Sequence, residues 1–301
     1  MTLLNFKNPA FVSIITTIAD AFRGVFGGGY LGGDSNVMDY ITIATTGNAT
    51  DFGDLTVARI YLAGVSSETR GVFGGGSSNW SSSDVMDYIT ISTTGNATDF
   101  GDLTVARMYL AGVSSETRGV FGGGLSNWSS SDVMDYITIS TTGNATDFGD
   151  LTVARDGMGG VSSDTRGVFG GGNMTTDMDY ITIATTGNAT DFGDLTYGRW
   201  GLAGVSSATR GVFGGGGDDD VMDYITIATT GNATDFGDLT LSRNYLAGVS
   251  SATRGVFGGG MGMGSSDYSL MDYITIDTTG NATDFGDLTS GRWGVAGVDD
   301  S

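Results

Sequence analysis

Residues 70–117 read RGVFGGGSSNWSSSDVMDYITISTTGNATDFGDLTVARMYLAGVSSET. Four stretches of this unit, 71–75, 86–92, 99–104 and 109–114, are rich in Val, Ile, Phe, Tyr and small apolar residues. Clusters of Gly, Asn, Asp and Ser separate them, so they read as short strands joined by turns. In the second stretch Ile89 and Ile91 point to one side, and Met86 and Tyr88 to the other. Both faces are apolar, which predicts a sheet covered on both sides rather than one with a wet face.

The unit recurs. RGVFGGG begins at Arg23, Arg70, Arg118, Arg166, Arg210 and Arg254, at spacings of 47, 48, 48, 44 and 44. Each copy continues with MDYITI, TTGNATDFGDLT, an Arg and a short apolar run containing Gly. A period in the forties built from four short strands is the signature of a propeller blade. Helical arrays of similar period need long amphipathic stretches, and the chain has none. The expected fold is therefore all-β, a six-bladed β-propeller of four-stranded antiparallel blades over residues 23–301. Residues 1–22 form a separate N-terminal docking or assembly segment.

The unit resembles the kelch repeat in its glycine run (Gly74, Gly75, Gly76), the Tyr of the next strand (Tyr88), the later aromatic (Phe100) and the Arg before the following strand (Arg107). Phe stands where kelch repeats usually carry Trp. The resemblance implies that YLAGVSS is the inner strand, GVFGGG the second, MDYITI the third and DFGDL the outer one. The SSETR and TTGNATDF segments then lie on one face, and the segments after GGG and around VARMYL on the other. TTGNATDFGDLT together with TRGVFGGG also resembles repeat proteins of tailed, notably marine, phages that are virion or tail components. That second resemblance implies a place on a virion tail or particle surface, among other virion proteins, or an extracellular one outside a virus.

Composition narrows the chemistry. The 34 acidic and 13 basic residues give a net charge of −21, a field that repels a phosphate backbone and argues against nucleic acid as partner. Cys and His are both absent, so disulfides, thiolate and imidazole metal ligands and His-based triads are excluded. No run of about 20 apolar residues is present, so no membrane insertion is expected. The apolar stretch 11–19 is preceded by a single basic residue, Lys7, and by Pro9, and it reads as an assembly segment rather than a signal peptide.

The copies differ from one another in two places. One is the loop between GGG and MDY: YLGGDSNV, SSNWSSSDV, LSNWSSSDV, NMTTD, GDDDV and MGMGSSDYSL. The other is the segment VARIYL, VARMYL, VARDGM, YGRWGL, LSRNYL and SGRWGV. Every Trp and every Tyr outside MDY falls there, giving Tyr30, Tyr61, Trp80, Tyr109, Trp128, Tyr197, Trp200, Tyr245, Tyr268 and Trp293 as candidate binding residues. Aromatic rings beside Ser, Asn and Asp on loops of a rigid scaffold make an adaptable binding surface. The alternative is that they plug one end of the propeller.

Repeated charges such as Asp87, Asp99, Asp102, Arg107 and Arg118 suit a structural task performed in every blade, with Arg paired to carboxylate. The Asn96, Asp99, Asp102 spacing matches no established calcium loop. Each GNAT, from Asn48 to Asn281, is also an N-x-T sequon, and a turn-forming Asn is the simpler reading. Copper oxidases of kelch type need His and Cys, and sialidase-like chemistry needs a Glu placed beside a Tyr. The sole glutamates, Glu68 and Glu116, lie in short turns. No catalytic residue, metal site or cofactor is expected. The expected function is non-enzymatic, as a virion structural or recognition protein that binds a host-surface glycan or protein through the variable aromatic face. The alternative is a self-assembling fibre or coat subunit, a homo-oligomer whose loop face or N-terminal strand contacts neighbouring copies. Finally, residues 295–299 match the inner-strand motif better than residues 14–19, so they are expected to pair with residues 24–28 and close the ring.

Overall fold

The computed structural model describes residues 22–217, 219–262 and 266–301. The segment 1–21, in which the docking strand is expected, lies outside them. Six four-stranded antiparallel sheets follow one another in the order inner, second, third, outer. Among the described residues there is no helix. Blade 2 is built of Ala63–Ser66, Arg70–Gly74, Val85–Thr90 and Thr98–Asp102, each strand pairing with the next. Blade 1 uses Arg23–Gly27, Val37–Thr42 and Thr50–Asp54 from the start of the described chain, and takes its inner strand, Ala296–Asp299, from the C-terminal end. The register Gly24↔Asp299, Val25↔Val298, Phe26↔Gly297 and Gly27↔Ala296 realises the expected closure. The protein is a six-bladed β-propeller. The inner strands of blades 3 to 6 are Ala111–Ser114, Gly159–Ser162, Ala203–Ser206 and Ala247–Ser250.

The RGVFG strand explains why the blades pack as they do. Val25 and Phe26 point to opposite faces, yet both are fully buried, because each face meets a neighbouring blade. The glycines flanking them make that approach possible. A Cβ on Gly27 would lie 2.9 Å from the ring of Phe73 in blade 2, and one on Gly24 would lie 2.5 Å from Val249 in blade 6. Phe of one blade thus fills the space left by Gly of the preceding blade, through to Phe26 of blade 1 against Gly258 of blade 6. The result is a set of interblade cores rather than one central core, such as Met38, Phe52 and Leu55 of blade 1 with Phe73, Ile89 and Ile91 of blade 2. Tyr136 and its counterparts are half-buried, each with an Arg guanidinium over its ring (4.3 Å for Arg118 on Tyr136).

Charges repeated in the sequence lock these contacts. The linker leaving blade 1 carries Arg59, which donates to the carbonyls of Gly75 and Val85 and forms a fully buried ion pair with Asp87 of blade 2. The same pair occurs in every blade, ending with Arg292 on Asp39 at 2.5 Å, which joins the two ends of the described chain. Asp39 and its equivalents sit at a β-bulge next to Met38, which turns the carboxylate into the interior. The second repeated Arg also reaches forward, from its own blade to the next. Arg23 donates to Ile91 O and Arg70 to Ile139 O, each one blade ahead, and Arg254 to Ile43 O closes the circle.

The GNAT turn has a lateral role. Gly95 N–H donates to Phe52 O, Ala97 N–H to Asp54 O, and Asn96 Oδ1 accepts from Asp54 N–H. The turn of one blade therefore covers the open edge of the outer strand of the blade before it, a device that blunts strand addition. Asn48 on Asp287 completes the set between blades 1 and 6.

Candidate functional site: the variable-loop face

The two variable segments share one face. On it, the linkers between blades run over the mouth of the central channel, and one residue in each takes a left-handed backbone. These residues are Tyr61 (φ 62°), Tyr109 (60°), Gly157 (68°), Gly201 (73°), Tyr245 (57°) and Gly294 (66°). The N–H of each donates to the carbonyl of its counterpart one blade back, from Tyr61 on Gly294 (2.8 Å) through Tyr109 on Tyr61 (2.9 Å) to Gly294 on Tyr245 (2.8 Å). These six hydrogen bonds form a closed ring around the axis.

Three tyrosines on that ring converge above the channel. The Tyr61 and Tyr109 ring centroids are 3.7 Å apart, and Tyr245 lies 5.2 Å from Tyr61. The three glycines leave room for what packs on them. The indole of Trp200 occupies the space a Cβ on Gly157 would take, and its Nε1–H donates to Asp156 at 3.0 Å. Trp293 stacks between Tyr61 (5.4 Å) and Tyr245 (5.6 Å), and Tyr30 leans on Trp293 at 5.1 Å. Burial pushes the Tyr61 and Tyr109 hydroxyls above the ordinary tyrosine range, so both stay neutral near pH 7. Six of the ten candidate residues are thus brought together as a packed plug. The cavity left at this mouth is about 60 Å³, far below the roughly 300–1,000 Å³ of small-molecule pockets.

The remaining candidates are dispersed. Tyr197 and Tyr268 are half-buried at the rim, Tyr268 with its ring over Gly262. Burial and the nearby Asp219 carboxylate push the Tyr197 hydroxyl up. Trp80 and Trp128 stand apart from all other candidates, 60% and 71% exposed. Each crowns a hairpin of two-residue strands, Ser77–Ser78 with Ser81–Ser82 and Leu125–Ser126 with Ser129–Ser130. Both turn residues have positive φ, 50° and 63° at Asn79 and Trp80 and 47° and 63° at Asn127 and Trp128. Asn tolerates that conformation, but at the second position Gly is the residue the backbone favours.

Blade 4 repeats the feature with Asn173 (φ 49°) and Met174 (φ 61°), and Met174 is 61% exposed. Reading aromatic residues alone passes over Met174. The Asn-bulky pair shared by SNW and NM is the signal that finds it. Leu31 in blade 1 is likewise exposed. The described residues with large exposed hydrophobic side chains are these four together with Val57, Val105, Val153 and Leu241, and all eight lie in the variable segments of this face.

The opposite face is polar. Ser66, Ser114, Ser162, Ser206, Ser250 and Asp299 ring the channel there, each inner-strand N–H donating to the side-chain oxygen one blade on, as in Ser66 N–H to Ser114 Oγ (3.2 Å) and Ser250 N–H to Asp299 Oδ2 (2.7 Å). They border a cavity of about 280 Å³ with Glu116, Asp164 and Phe22. Burial raises the Asp299 carboxyl to about 6. No group of three or more acidic side chains placed to hold a metal ion occurs among the described residues. No protein-family model matches the chain, and no curated protein does.

Proposed function

We propose that the chain is a non-catalytic recognition protein that binds a glycan or protein of a host surface through its variable-loop face, with the kelch-like propeller as a rigid support. Its resemblance to phage repeat proteins makes a virion tail or particle surface the proposed location. One observation carries the reading. In three successive blades a bulky apolar residue, Trp80, Trp128 or Met174, occupies a left-handed turn position that favours Gly, and its side chain projects into solvent. A strained residue whose side chain is mostly exposed points to a use outside the fold. Self-assembly is the competing reading. Its strand-pairing form is opposed by the GNAT turns, which already occupy the outer edges.

The test is binding of the purified protein to a glycan array and to isolated host envelope, with the Trp80→Ala, Trp128→Ala double variant alongside. Recognition gives saturable binding that the double variant loses. Particle growth at rising protein concentration, lost in the same variant and without any ligand bound, identifies the face as a contact between copies.

A further inference from the structure

We infer that the partner segment docking on this face is a polypeptide that is both apolar and basic, an inference that rests on the reading of the face as a recognition surface. The apolar half comes from the hairpin tips. Leu31 (49% exposed), Trp80, Trp128 and Met174 belong to four consecutive blades, and the loops that carry them are joined to one another. Asn79 N–H donates to Asp34 at 2.6 Å between blades 1 and 2, Ser82 Oγ to Leu125 O at 3.3 Å between blades 2 and 3, and Asn173 Nδ2 to Ser130 Oγ at 3.1 Å between blades 3 and 4. The tips therefore form one continuous, laterally braced arc, and an aromatic pair held in place gives contact area with little entropy left to lose.

The basic half comes from how arginine is used. Six of the twelve, Arg59 and its equivalents, are fully buried in ion pairs beneath the loop face. The other six, Arg23 and its equivalents, sit at the opposite end of the blades, over Tyr rings and bound to carbonyls. Among the described residues no cation reaches the loop face. Carboxylates do. Asp84 and Asp132 are exposed beside the two hairpins, Asp34 is half-buried next to Trp80's turn, and Asp219 and Asp220 follow in blade 5, beyond Met174.

A ligand with phosphate, sulfate or carboxylate groups meets only like charge here and has no counter-ion to bind. Lys or Arg placed beside apolar anchors meets the opposite sign within about one Debye length, 8 Å at physiological salt. An uncharged glycan can stack on Trp80 and Trp128 but gains nothing from the carboxylates.

Three synthetic peptides test this against the full chain. They share one pattern of Leu and Trp and carry Lys, Gln or Glu at every other position. A neutral glucan serves as a fourth probe. The Lys peptide is expected to bind, and its affinity should fall about tenfold both at high salt and in the variant Asp34→Asn, Asp84→Asn, Asp132→Asn. A matched variant on the opposite face, Glu68→Gln, Glu116→Gln, Asp164→Asn, should change affinity less than twofold, on the order expected of remote, screened charges. Equal loss from the two triple variants would overturn the inference, since it would mean attraction to net charge alone. Equal binding of the Lys and Gln peptides, or saturable binding of the glucan only, would also overturn it while leaving the recognition face intact if Trp80→Ala, Trp128→Ala abolishes that binding. Indifference of every probe to the Trp variant would remove the recognition reading itself. Thermal melts of all variants establish that each is folded.

Discussion

Replacing Trp80 and Trp128 by glycine should make the protein more stable while removing its binding. Both residues have φ 63° and expose most of their side chain. Holding a residue with a Cβ in the left-handed region costs about 1–2 kcal/mol relative to its relaxed state. Glycine removes that strain but adds about 0.5–1 kcal/mol of chain entropy to the unfolded state. The net gain is about 0.5–1 kcal/mol per site, and the two turns have separate strands, so the effects should add to about 1–2 kcal/mol. For a chain of this length that corresponds to roughly 2–4 °C in Tm per kcal/mol. Urea unfolding followed by circular dichroism measures it, and the binding assays above supply the second readout. Alanine separates the two contributions, because it keeps the Cβ strain and loses the ring, so Trp→Ala should leave stability within about 0.5 kcal/mol. Destabilisation of the double glycine variant by more than about 1 kcal/mol would refute the reasoning, since it would show that the indoles hold the fold together.

Two further outcomes are expected. Asp87→Ala leaves the Arg59 guanidinium buried without its carboxylate, and should cost about 3–5 kcal/mol in chemical denaturation, where replacement of an exposed aspartate such as Asp84 by Ala should cost almost nothing. Asp299 is the single carboxylate in the serine ring, and with its folded pKa raised to about 6 from 3.8 the native state holds the proton more tightly than the unfolded chain. Stability therefore declines as pH rises from about 4 to 6 and levels off above. Exposure at the cavity edge reduces a ceiling of about 3 kcal/mol to roughly 1–2 kcal/mol. Asp299→Ser, which restores the residue present in the other five blades, should remove that amount of pH dependence from melting curves recorded between pH 4 and 8, and a variant that tracks the native protein at every pH would contradict the assignment.

The repeat made the architecture legible. Periodicity placed the four strands read from residues 70–117, three of blade 2 and the inner strand of blade 3, to within two residues, and the better match of residues 295–299 to the inner-strand motif identified the closing strand correctly. The division of loops between the two faces followed from the strand order that the resemblance to kelch repeats implied. The site was harder to read. Composition marks Tyr61, Tyr109 and Tyr245 as loop aromatics on an equal footing with Trp80 and Trp128, yet the first three close the channel and the last two face solvent. The difference lies in backbone conformation and in what each ring meets across a blade boundary, and neither is a local property of the sequence. The pairing of Arg59 with Asp87, 28 residues later, was foreseeable in kind but not in partner, because three aspartates recur in every repeat and each was available to it.

The distribution of repetition and variation across the molecule supports the functional reading independently of any single residue. Every motif that recurs in the blades has an internal use: GVF and its glycines interlock neighbouring sheets, Asp39 and Arg292 and their equivalents tie linker to blade, Arg23 and its equivalents hold the next blade's carbonyls, and Asn48 and its equivalents cover an edge. Such residues cannot drift without loosening the ring, since each serves the blade beside it. The variable segments split into two groups by the same criterion. Those over the axis vary as a set, with Tyr in three blades matched by Gly in the other three, so that the plug is filled once and not overfilled. The hairpin tips at the rim carry no such constraint, and a surface free to drift under selection for solubility tends toward small polar residues. Retention of Trp, Trp, Met and Leu at four adjacent tips, three of them against the preference of the backbone, is what a binding requirement from outside the fold would impose.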